Sequence, residues 1–329
     1  MNTSIISTKD LHKSFRVYKK DPGFAGAIKA IFSRKYETVE AVKAVNIEIQ
    51  EGELVGFIGP NGAGKTTTLK MLAGLLYPTS GSATVLGHTP WKREPALQKQ
   101  FSLIMGQKNQ LWWDLPPIET FLLHKAIYEI SDESYKKTLS KLTELLDVKD
   151  ILQIPVRKLS LGQRMKCELI AALLHSPKIL FLDEPTIGLD VVIQKAMRDF
   201  IRTYNQEFGA TILLTSHYMQ DVKELCKRVI VIDKGQILFD GEMKKIIEKY
   251  AVNKIITVEF AKHIAQEKIE KIATIKSYED NIAVLNVPRK NASEVASSIL
   301  QTFPVIDVNI EEAPIEAIIR DLFQDYAKA

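Results

Sequence analysis

Residues 54–76 read LVGFIGPNGAGKTTTLKMLAGLL, and this stretch decides the fold of the chain. It begins with a continuous apolar run, Leu54–Ile58, of the kind that forms a strand buried on both faces. A glycine-rich turn follows, and then a helical pattern whose apolar side carries Leu69, Leu72, Leu75 and Leu76. A strand, a glycine turn and a helix in this order predict an α/β fold.

Residues 59–66 match the spacing G-x-x-x-x-G-K-[ST], in which each part has a task in phosphate binding. Glycines allow backbone N–H groups to wrap around phosphates, and the helix N-terminus adds positive potential. Lys65 is expected to reach the β- and γ-phosphates, and the Thr66 hydroxyl to bind Mg²⁺. The sequence therefore predicts a nucleoside triphosphate site, with a loop made of Gly59, Pro60, Asn61, Gly62, Ala63, Gly64, Lys65, Thr66 and Thr67.

Two further apolar runs end in polar residues. Residues 179–182 lead into Asp183 and Glu184, and the run TILLT precedes His217. Parallel sheets bind ligands at the carboxyl ends of their strands, so these side chains are expected to face the phosphates. Asp183 is placed to hold Mg²⁺ through water, and Glu184 to polarise the attacking water. The alternatives are that the carboxylates only cap the turn before Pro185 and that the histidine only closes its strand.

Composition and charge restrict the class of protein. The 329 residues carry a net charge of +4, which is too mild to indicate nucleic-acid binding. No apolar run approaches the roughly 20 residues that cross a bilayer, and the N-terminus lacks the pattern of a signal peptide. Cys167 and Cys226 lie far apart without the spacing of a disulfide framework or a zinc site. We therefore expect a cytoplasmic protein that does not bind nucleic acid.

Residues from about 5 to 250 resemble the nucleotide-binding subunit of an ATP-binding cassette (ABC) transporter. The resemblance rests on an ordered set of motifs, namely GPNGAGKTT, Gln107, LSLGQ at residues 159–163, FLDEP at residues 181–185, GLD ending at Asp190 and LLTSH ending at His217. It implies a P-loop ABC ATPase domain over residues 1–250, with a RecA-like core, an antiparallel β subdomain and a helical subdomain at about 108–175. ATP and Mg²⁺ are the implied cofactors.

The resemblance also implies roles for single residues. Glu184 would act as the general base or orient the attacking water, and His217 would contact the γ-phosphate. Gln107 would contact Mg²⁺ and the attacking water while it senses a membrane partner. Asp190 would bridge to a second protomer. These four residues are the predicted catalytic and coupling set.

LSLGQ, residues 159–163, is the signature motif of the family and carries little side-chain chemistry. Ser160 is a natural N-cap for the helical pattern that follows, and the first turn of a helix offers unpaired backbone N–H groups. In the family two subunits pack head to tail, and each signature helix points at the γ-phosphate held by the other subunit. The resemblance thus implies a two-fold homodimer with a site completed in trans by Ser160, Leu161, Gly162 and Gln163.

An insertion at residues 21–40, DPGFAGAIKAIFSRKYETVE, interrupts the first strands. Just before it lie Phe15 and Tyr18, which are the alternatives for an aromatic residue that stacks on the base. Residues at about 22–36 are predicted to form a basic amphipathic helix, with Phe24, Ile28, Ile31 and Phe32 at helical spacing among Lys29, Arg34 and Lys35. We place this helix, as a hypothesis, at the membrane interface. A similar insertion occurs in ABC-2 type exporters of lipid-linked glycans.

A transporter subunit without membrane spans needs a separate permease. Trp112 and Trp113 lie in a short irregular stretch after Gln107, where they are either buried core or a docking surface for a permease helix. The resemblance to the ABC-2 branch predicts an ATPase peripheral on the inner face of the cell membrane that energises export of a glycan, lipid or drug-like cargo. An importer subunit, or a soluble ABC ATPase that acts on ribosomes or nucleic acid, is the alternative.

Residues 251–329 are predicted to form a separate small domain. Their pattern of strand, helix, two strands, helix and strand is that of a small α+β ferredoxin-like domain, closed by a helix that begins at Pro314. A packing or dimer-stabilising role is favoured over ligand sensing, because the region shows no pattern of metal ligands, nucleophiles or phosphate-binding glycines.

Leu161 stands where the commonest family sequence has glycine, and it supplies a first prediction. A residue in the first helical turn needs only ordinary helical angles, which leucine adopts readily. Leu161→Gly should therefore leave ATPase activity nearly unchanged, whereas replacement of Ser160 or Gly162 should lower it sharply. Steady-state phosphate release from the three variants tests this, and equal losses in all three would contradict it.

Overall fold

The computed structural model describes residues 4–19, 35–106, 108–216 and 218–328. Gln107 and His217 lie outside the described residues, as does most of the predicted inserted helix at about 22–36. The last two residues of that predicted helix, Lys35 and Tyr36, are already part of a strand. The chain divides into two compact units, Met1–Gly241 and Glu242–Ala329.

The described part of the first unit contains ten strands and seven α-helices. Its strands are β1 (Ser4–Lys19), β2 (Lys35–Val45), β3 (Glu48–Gln50), β4 (Leu54–Ile58), β5 (Ser80–Val85), β6 (Phe101–Met105), β7 (Ile179–Asp183), β8 (Thr211–Thr215), β9 (Arg228–Asp233) and β10 (Gln236–Glu242). Its α-helices are α1 (Lys65–Leu72), α2 (Pro95–Gln98), α3 (Pro117–Ile127), α4 (Asp132–Leu145), α5 (Leu161–Leu173), α6 (Val191–Phe208) and α7 (Met219–Leu225). Short 3₁₀ turns lie at Pro90–Lys92, Lys149–Ile151 and Val156–Lys158.

A six-stranded sheet in the order β10-β9-β4-β8-β7-β6 forms the centre of this unit. The pairs β9/β4, β4/β8, β8/β7 and β7/β6 are parallel. Every residue of β7 and β8 is buried, as the apolar runs predict for strands covered on both faces. Because the strands are parallel, the carboxyl ends of β4, β7 and β8 meet at one edge of the sheet. The glycine-rich loop and Asp183 therefore share that edge.

Helix α1 follows the glycine-rich loop but is shorter than the sequence pattern predicts. Leu69 and Leu72 are buried, and the helix ends at Leu72. Gly74 has φ +68°, a left-handed conformation that terminates helices. The prediction that Leu75 lies on the buried side of this helix is wrong, because it follows the break and is 53% exposed.

A four-stranded antiparallel sheet packs beside the phosphate-binding loop. Strand β1 pairs with β2, β3 and β5, in every case antiparallel. Strand β2 runs past the loop at Ala41, and the Lys43 N–H donates to the carbonyl of Gly235 at 2.8 Å. Beyond that point β1 and β2 continue as a two-stranded ribbon in which Phe15 is opposite Val39. The predicted antiparallel β subdomain is thereby confirmed.

Helices α3, α4 and α5 lie between β6 and β7 in the chain and correspond to the predicted helical subdomain. Helix α3 begins at Pro117, a position where a missing N–H costs nothing. Helix α4 is capped by Ser131, whose hydroxyl accepts from the Ser134 N–H at 3.3 Å. Buried side chains on these helices include Phe121 and Leu142. The connection therefore has its own apolar packing.

The second unit contains α8 (Met243–Tyr250), β11 (Asn253–Phe260), α9 (Gln266–Glu270), β12 (Thr274–Glu279), β13 (Ile282–Pro288), α10 (Ala292–Thr302), β14 (Val305–Glu312) and α11 (Ile315–Lys328). Its sheet has the order β12-β13-β11-β14 with antiparallel pairs throughout, which confirms the predicted ferredoxin-like arrangement. Ile256, Val258 and Phe260 bury one face of β11 in its core. The unit starts before the predicted boundary after residue 250, because α8 packs against α11.

Among the described residues, no helix combines the length and the hydropathy needed to span a membrane. Cys167 and Cys226 are buried free thiols, and burial raises the pKa of Cys167 to about 12. Neither thiol is therefore in the reactive, ionised form at neutral pH.

Candidate active site

The glycine-rich loop between β4 and α1 can be formed only by glycine at its two ends. A Cβ atom on Gly59 would lie 2.1 Å from the carbonyl oxygen of Ile232, and one on Gly64 would lie 2.4 Å from that of Ala41. Gly64 also has φ +110°, which disfavours any other residue. Between them Pro60, Asn61 and Gly62 are exposed, and Ala63 is buried. The loop thus presents its middle to solvent while both ends are packed against neighbouring backbone.

Lys65, the first residue of α1, lies under this loop. Its Nζ donates to the carbonyl oxygens of Gly59 at 2.7 Å and Pro60 at 3.0 Å. The side chain is buried, and this burial lowers the pKa of Lys65, while the charges of Glu184 and Asp183 oppose the shift. A cation that is partly removed from water at a helix N-terminus gains most from an anionic ligand.

Asp183 joins the loop helix to the edge of the central sheet. One carboxylate oxygen accepts from the Thr66 hydroxyl at 2.8 Å, and the other accepts from the Thr215 hydroxyl at 2.7 Å. Asp183 is 8% exposed and Thr215 is fully buried. A cavity of about 150 Å³ opens beside this arrangement, with Thr66, Asp183 and Glu184 in its wall. The predicted neighbours of the phosphates are thus brought together at one point, with Thr67 half-buried one residue further along α1.

Glu184 sits in a backbone conformation that costs free energy. Its φ is +57°, in the left-handed region, where a residue other than glycine is strained by about 1 to 3 kcal/mol. Its N–H donates to both the carbonyl and the hydroxyl oxygen of Thr215, each at 3.1 Å. These bonds hold the turn after β7, and Glu184 forms part of the wall of the cavity described above.

Gly106 was missed by the sequence reasoning. Its N–H donates to the Asp183 carbonyl at 2.8 Å, and a Cβ atom on it would lie 2.0 Å from the Glu184 carbonyl oxygen. Only glycine permits so close an approach of the two backbones. In the sequence this contact is signalled by one glycine, which lies between the apolar strand β6 and the predicted site residue Gln107.

The signature residues form a capped helix start. The Ser160 hydroxyl accepts from the Gln163 N–H at 3.2 Å, and the Gln163 side-chain oxygen accepts from the Ser160 N–H at 2.9 Å. The predicted N-cap is therefore confirmed as a reciprocal capping box. Leu161 is the first residue of α5 and has no positive φ. Its side chain is 37% exposed.

Helix α5 touches the region around Asp190 through two glycines. A Cβ atom on Gly162 would lie 3.0 Å from the Ile193 side chain, and one on Gly188 would lie 3.3 Å from the side chain of Leu161. Asp190 caps α6 by accepting from the Ile193 N–H at 3.0 Å. The signature and the start of α6 are therefore packed together within one chain.

Three aromatic residues, one more than the sequence analysis considered, lie on the ribbon of β1 and β2. Phe15 is 36% exposed with the Lys13 ammonium 5.2 Å from its ring centre, and Tyr18 is 37% exposed. Tyr36 lies opposite Tyr18 with 6.1 Å between ring centroids, and it is 51% exposed. Tyr36 lies on β2, and the prediction that it belongs to the inserted helix is wrong.

Trp112 and Trp113 are 56% and 49% exposed, so the alternative that they belong to a buried core is wrong. The segment that carries them is nevertheless held firmly. The Glu168 carboxylate of α5 is buried and accepts from the N–H groups of Gln110 at 2.8 Å and Leu111 at 3.1 Å. The Arg164 guanidinium lies 5.7 Å from the Trp113 ring centre. Burial raises the pKa of Glu168, while those N–H groups oppose the shift.

Two regions of the chain match families of known proteins. Residues 42–187 match the ABC transporter family, and residues 253–311 match the C-terminal domain of EvrA-like ABC transporters. The chain resembles a solved dimeric ATP-binding cassette bound to ADP and Pi in a post-hydrolysis state, with 22% identity and a TM-score of 0.60. That match covers 72% of this chain and 98% of the other.

Two curated relatives share more sequence with the chain. It is 34% identical over 217 residues to the ABC transporter ATP-binding protein NatA of Bacillus subtilis (strain 168), a match that covers 66% of this chain and 88% of that protein. It is 31% identical over 223 residues to the linearmycin resistance ATP-binding protein LnrL of the same organism, covering 68% of this chain and 71% of that protein. The chain belongs to the ABC transporter family, as an ATP-binding subunit with ATPase activity.

The contact between Gly106 and Glu184 yields a second prediction. Gly106→Ala should lower kcat for ATP hydrolysis by about 10²-fold, because the added methyl group must displace the backbone that carries Glu184. Phosphate release and thermal melting measure the effect. Gly241→Ala is a matched control, since its Cβ would meet only the flexible ring of Phe239, at 3.0 Å. Wild-type activity in Gly106→Ala would contradict the prediction.

Proposed function

We propose that this chain is the ATP-hydrolysing subunit that energises a separate ABC-2 type permease in export. The observation that carries the proposal is the exposed segment of Trp112 and Trp113, which is bound through Glu168 to the helix that begins with the signature. A partner that binds this segment acts on α5 through a short, rigid path. The site for ATP and the site for the partner are thereby linked within one chain.

A groove next to this segment supports the docking of a permease. It has a volume of about 660 Å³, and Lys108, Asn109 and Gln110 form part of its rim. Its apolar wall includes Leu75, Ile127 and Tyr128, and Lys99 lies beside them. A short helix with apolar and acidic side chains fits such a groove. An ATPase bound in this way is peripheral on the inner face of the membrane.

Export is supported by the name of one relative, LnrL. The name of LnrL describes a resistance protein, and resistance to a compound is commonly achieved by its removal from the cell. A glycan, lipid or drug-like molecule is accordingly the proposed class of cargo. The permease, which is the part that contacts the cargo, selects among them.

We propose that residues 59–67 bind the phosphates of ATP and that His217 also contacts the γ-phosphate. Mg²⁺ fits the donor set, since the Thr66 hydroxyl and the Asp183 carboxylate lie within 2.8 Å of each other. The described residues contain no group of three or more acidic, histidine or cysteine ligands that would enclose a metal by themselves. This suits Mg²⁺, which retains several waters and binds phosphate oxygens. Bound Mg²⁺ would neutralise charge on the phosphates.

Glu184 is the proposed general base. Gln107 is proposed to contact Mg²⁺ and the attacking water while it senses the permease. Glu184 lines the cavity next to Thr66 and Asp183, which supports a role for its carboxylate in activating the attacking water. Gln107 directly follows Gly106, whose backbone is bound to Asp183. For base stacking we propose Phe15, Tyr18 or Tyr36, which lie on one exposed ribbon.

A homodimer completes the site in this proposal. Ser160, Leu161, Gly162 and Gln163 would face the γ-phosphate of the second subunit, and Asp190 would lie across from it. Val191 and Val192, directly after Asp190, are each 76% exposed. Exposed apolar side chains next to the signature support burial of this surface by a second copy.

Glu184→Gln should trap the dimer with ATP bound, as a third prediction. Loss of the general base should slow hydrolysis by roughly 10² to 10⁴-fold, so that the ATP-bound state accumulates. Size-exclusion chromatography with light scattering, with and without saturating ATP, measures the shift to twice the monomer mass. Glu144→Gln, an exposed carboxylate on α4, is the control. A monomer at saturating ATP would contradict the homodimer.

Trp112→Ala with Trp113→Ala should abolish binding of the permease, as a fourth prediction. A membrane permease should co-purify with the wild-type protein from its native cells and not with the double variant. ATPase activity of the isolated subunit should stay within about twofold, because both rings are exposed. Tyr326→Ala, an exposed aromatic of the second unit, is the control. ATPase stimulation by RNA or ribosomes without a co-purifying membrane protein would contradict the proposed function.

A further inference from the structure

A buried polar cluster lies below the edge of the sheet that carries the active site. Its centre is Asp221, in the first turn of α7, which is 1% exposed. One carboxylate oxygen accepts from the Arg198 guanidinium at 2.8 Å. The other accepts from the hydroxyls of Thr186 at 2.5 Å and Ser216 at 2.9 Å. The donors are also buried, with exposures of 7% for Arg198, 2% for Thr186 and 1% for Ser216.

The three donors come from three segments of the site. Thr186 lies two residues after Glu184, on the turn that holds the strained backbone of that residue. Ser216 directly precedes His217, and its hydroxyl also accepts from the Tyr218 N–H at 3.0 Å. Asp221 therefore links the turn after β7 to the segment that carries His217.

Arg198 supplies the third link. It lies on α6, the helix that Asp190 caps, and its Nε also donates to Glu224 at 2.9 Å. The ion pair with Asp221 is buried, whereas the Glu224 side chain is 31% exposed. A helix transmits displacement along its length because its backbone hydrogen bonds are continuous. The start of α6 is thereby tied to the same carboxylate.

Stability alone is a weak reason for such a cluster. Removal of two charges from water is costly, and apolar side chains of similar volume often stabilise a core as well or better. What a fully satisfied polar network provides is a defined arrangement of its members. Here two of the members, Thr186 and Ser216, lie on the backbone segments that carry the proposed catalytic residues.

We propose that Asp221 is a positioning residue for ATP hydrolysis. It holds the segments after Glu184 and before His217 in one geometry, so that Glu184 can activate the water that attacks the phosphate contacted by His217. Asp221 is 1% exposed and acts through these segments. The inference rests on the proposed roles of Glu184 and His217.

The first experiment separates positioning from binding. Asp221→Asn keeps the size of the side chain but removes the acceptor oxygen shared by Thr186 and Ser216. We expect kcat of the full-length chain to fall by about 10²-fold, with KM for ATP and the affinity for a fluorescent non-hydrolysable ATP analogue unchanged. Glu224→Gln is the matched control, because it alters the other partner of Arg198 and should leave kcat within about twofold. Equal losses in the two variants, or a rise in KM without a fall in kcat, would overturn the inference.

The second experiment tests the route of the effect. If Asp221 acts by aligning the segments of Glu184 and His217, Asp221→Asn should cause a smaller loss of kcat in a His217→Ala background than in the wild type. Losses that multiply in the double variant would overturn the inference. If His217→Ala is inactive and Asp221→Asn is fully active, the inference on Asp221 is contradicted and the proposed function is not. If His217→Ala is fully active, the proposed function is contradicted as well.

A third variant covers the case in which Asp221→Asn does not fold. Ser216→Ala removes a single hydroxyl from the cluster and retains the ion pair with Arg198. It should lower kcat by about tenfold without a change in KM, and its effect should likewise be smaller in the His217→Ala background than in the wild type. Thermal melting confirms that the variant is folded, and wild-type kcat in folded Ser216→Ala would overturn the inference.

Discussion

The two hydrogen bonds of Asp183 are the interaction on which the rest of the active site depends. One links its carboxylate to Thr66 on the loop helix, and the other links it to Thr215 on the neighbouring strand. The glycine-rich loop and Asp183 share one edge of the sheet because β4, β8 and β7 are parallel, and the two bonds fix the loop helix to that edge. Gly106 and Glu184 lie at the same edge: a Cβ atom on Gly106 would lie 2.0 Å from the Glu184 carbonyl oxygen, and Glu184 has a left-handed backbone conformation.

Around that junction the molecule uses three buried carboxylates for three different tasks. Asp183 binds Thr66 and Thr215, Glu168 holds the segment of the exposed tryptophans, and Asp221 binds Thr186 and Ser216. Each is satisfied by hydroxyl, backbone or guanidinium donors, which removes the cost of an unpaired buried charge. These hydrogen bonds fix the loop helix to the sheet edge and the tryptophan segment to the signature helix.

Much of this was accessible from sequence, and the errors have physical causes. Strands β4, β7 and β8 were found because a strand covered on both faces must be apolar throughout. The capping box at Ser160 was predicted in part, since a serine before a helical pattern has few other uses. Tyr36 was missed because a helical spacing of apolar residues continued across the start of β2. Leu75 was misplaced because the left-handed conformation of Gly74 does not show in a hydrophobic pattern.

The sequence by itself determined the chemistry of this protein. Spacing within short segments specifies a glycine loop, a lysine and a threonine at a helix start, and two carboxylates after a strand, because these depend only on local backbone geometry. Only the tertiary structure decided which distant residues share a contact, such as Gly106 with Glu184 or Asp221 with Thr186, Ser216 and Arg198. Contacts of this kind join segments that are far apart in the chain, and no local pattern records them, since each partner alone is an ordinary glycine, serine or threonine.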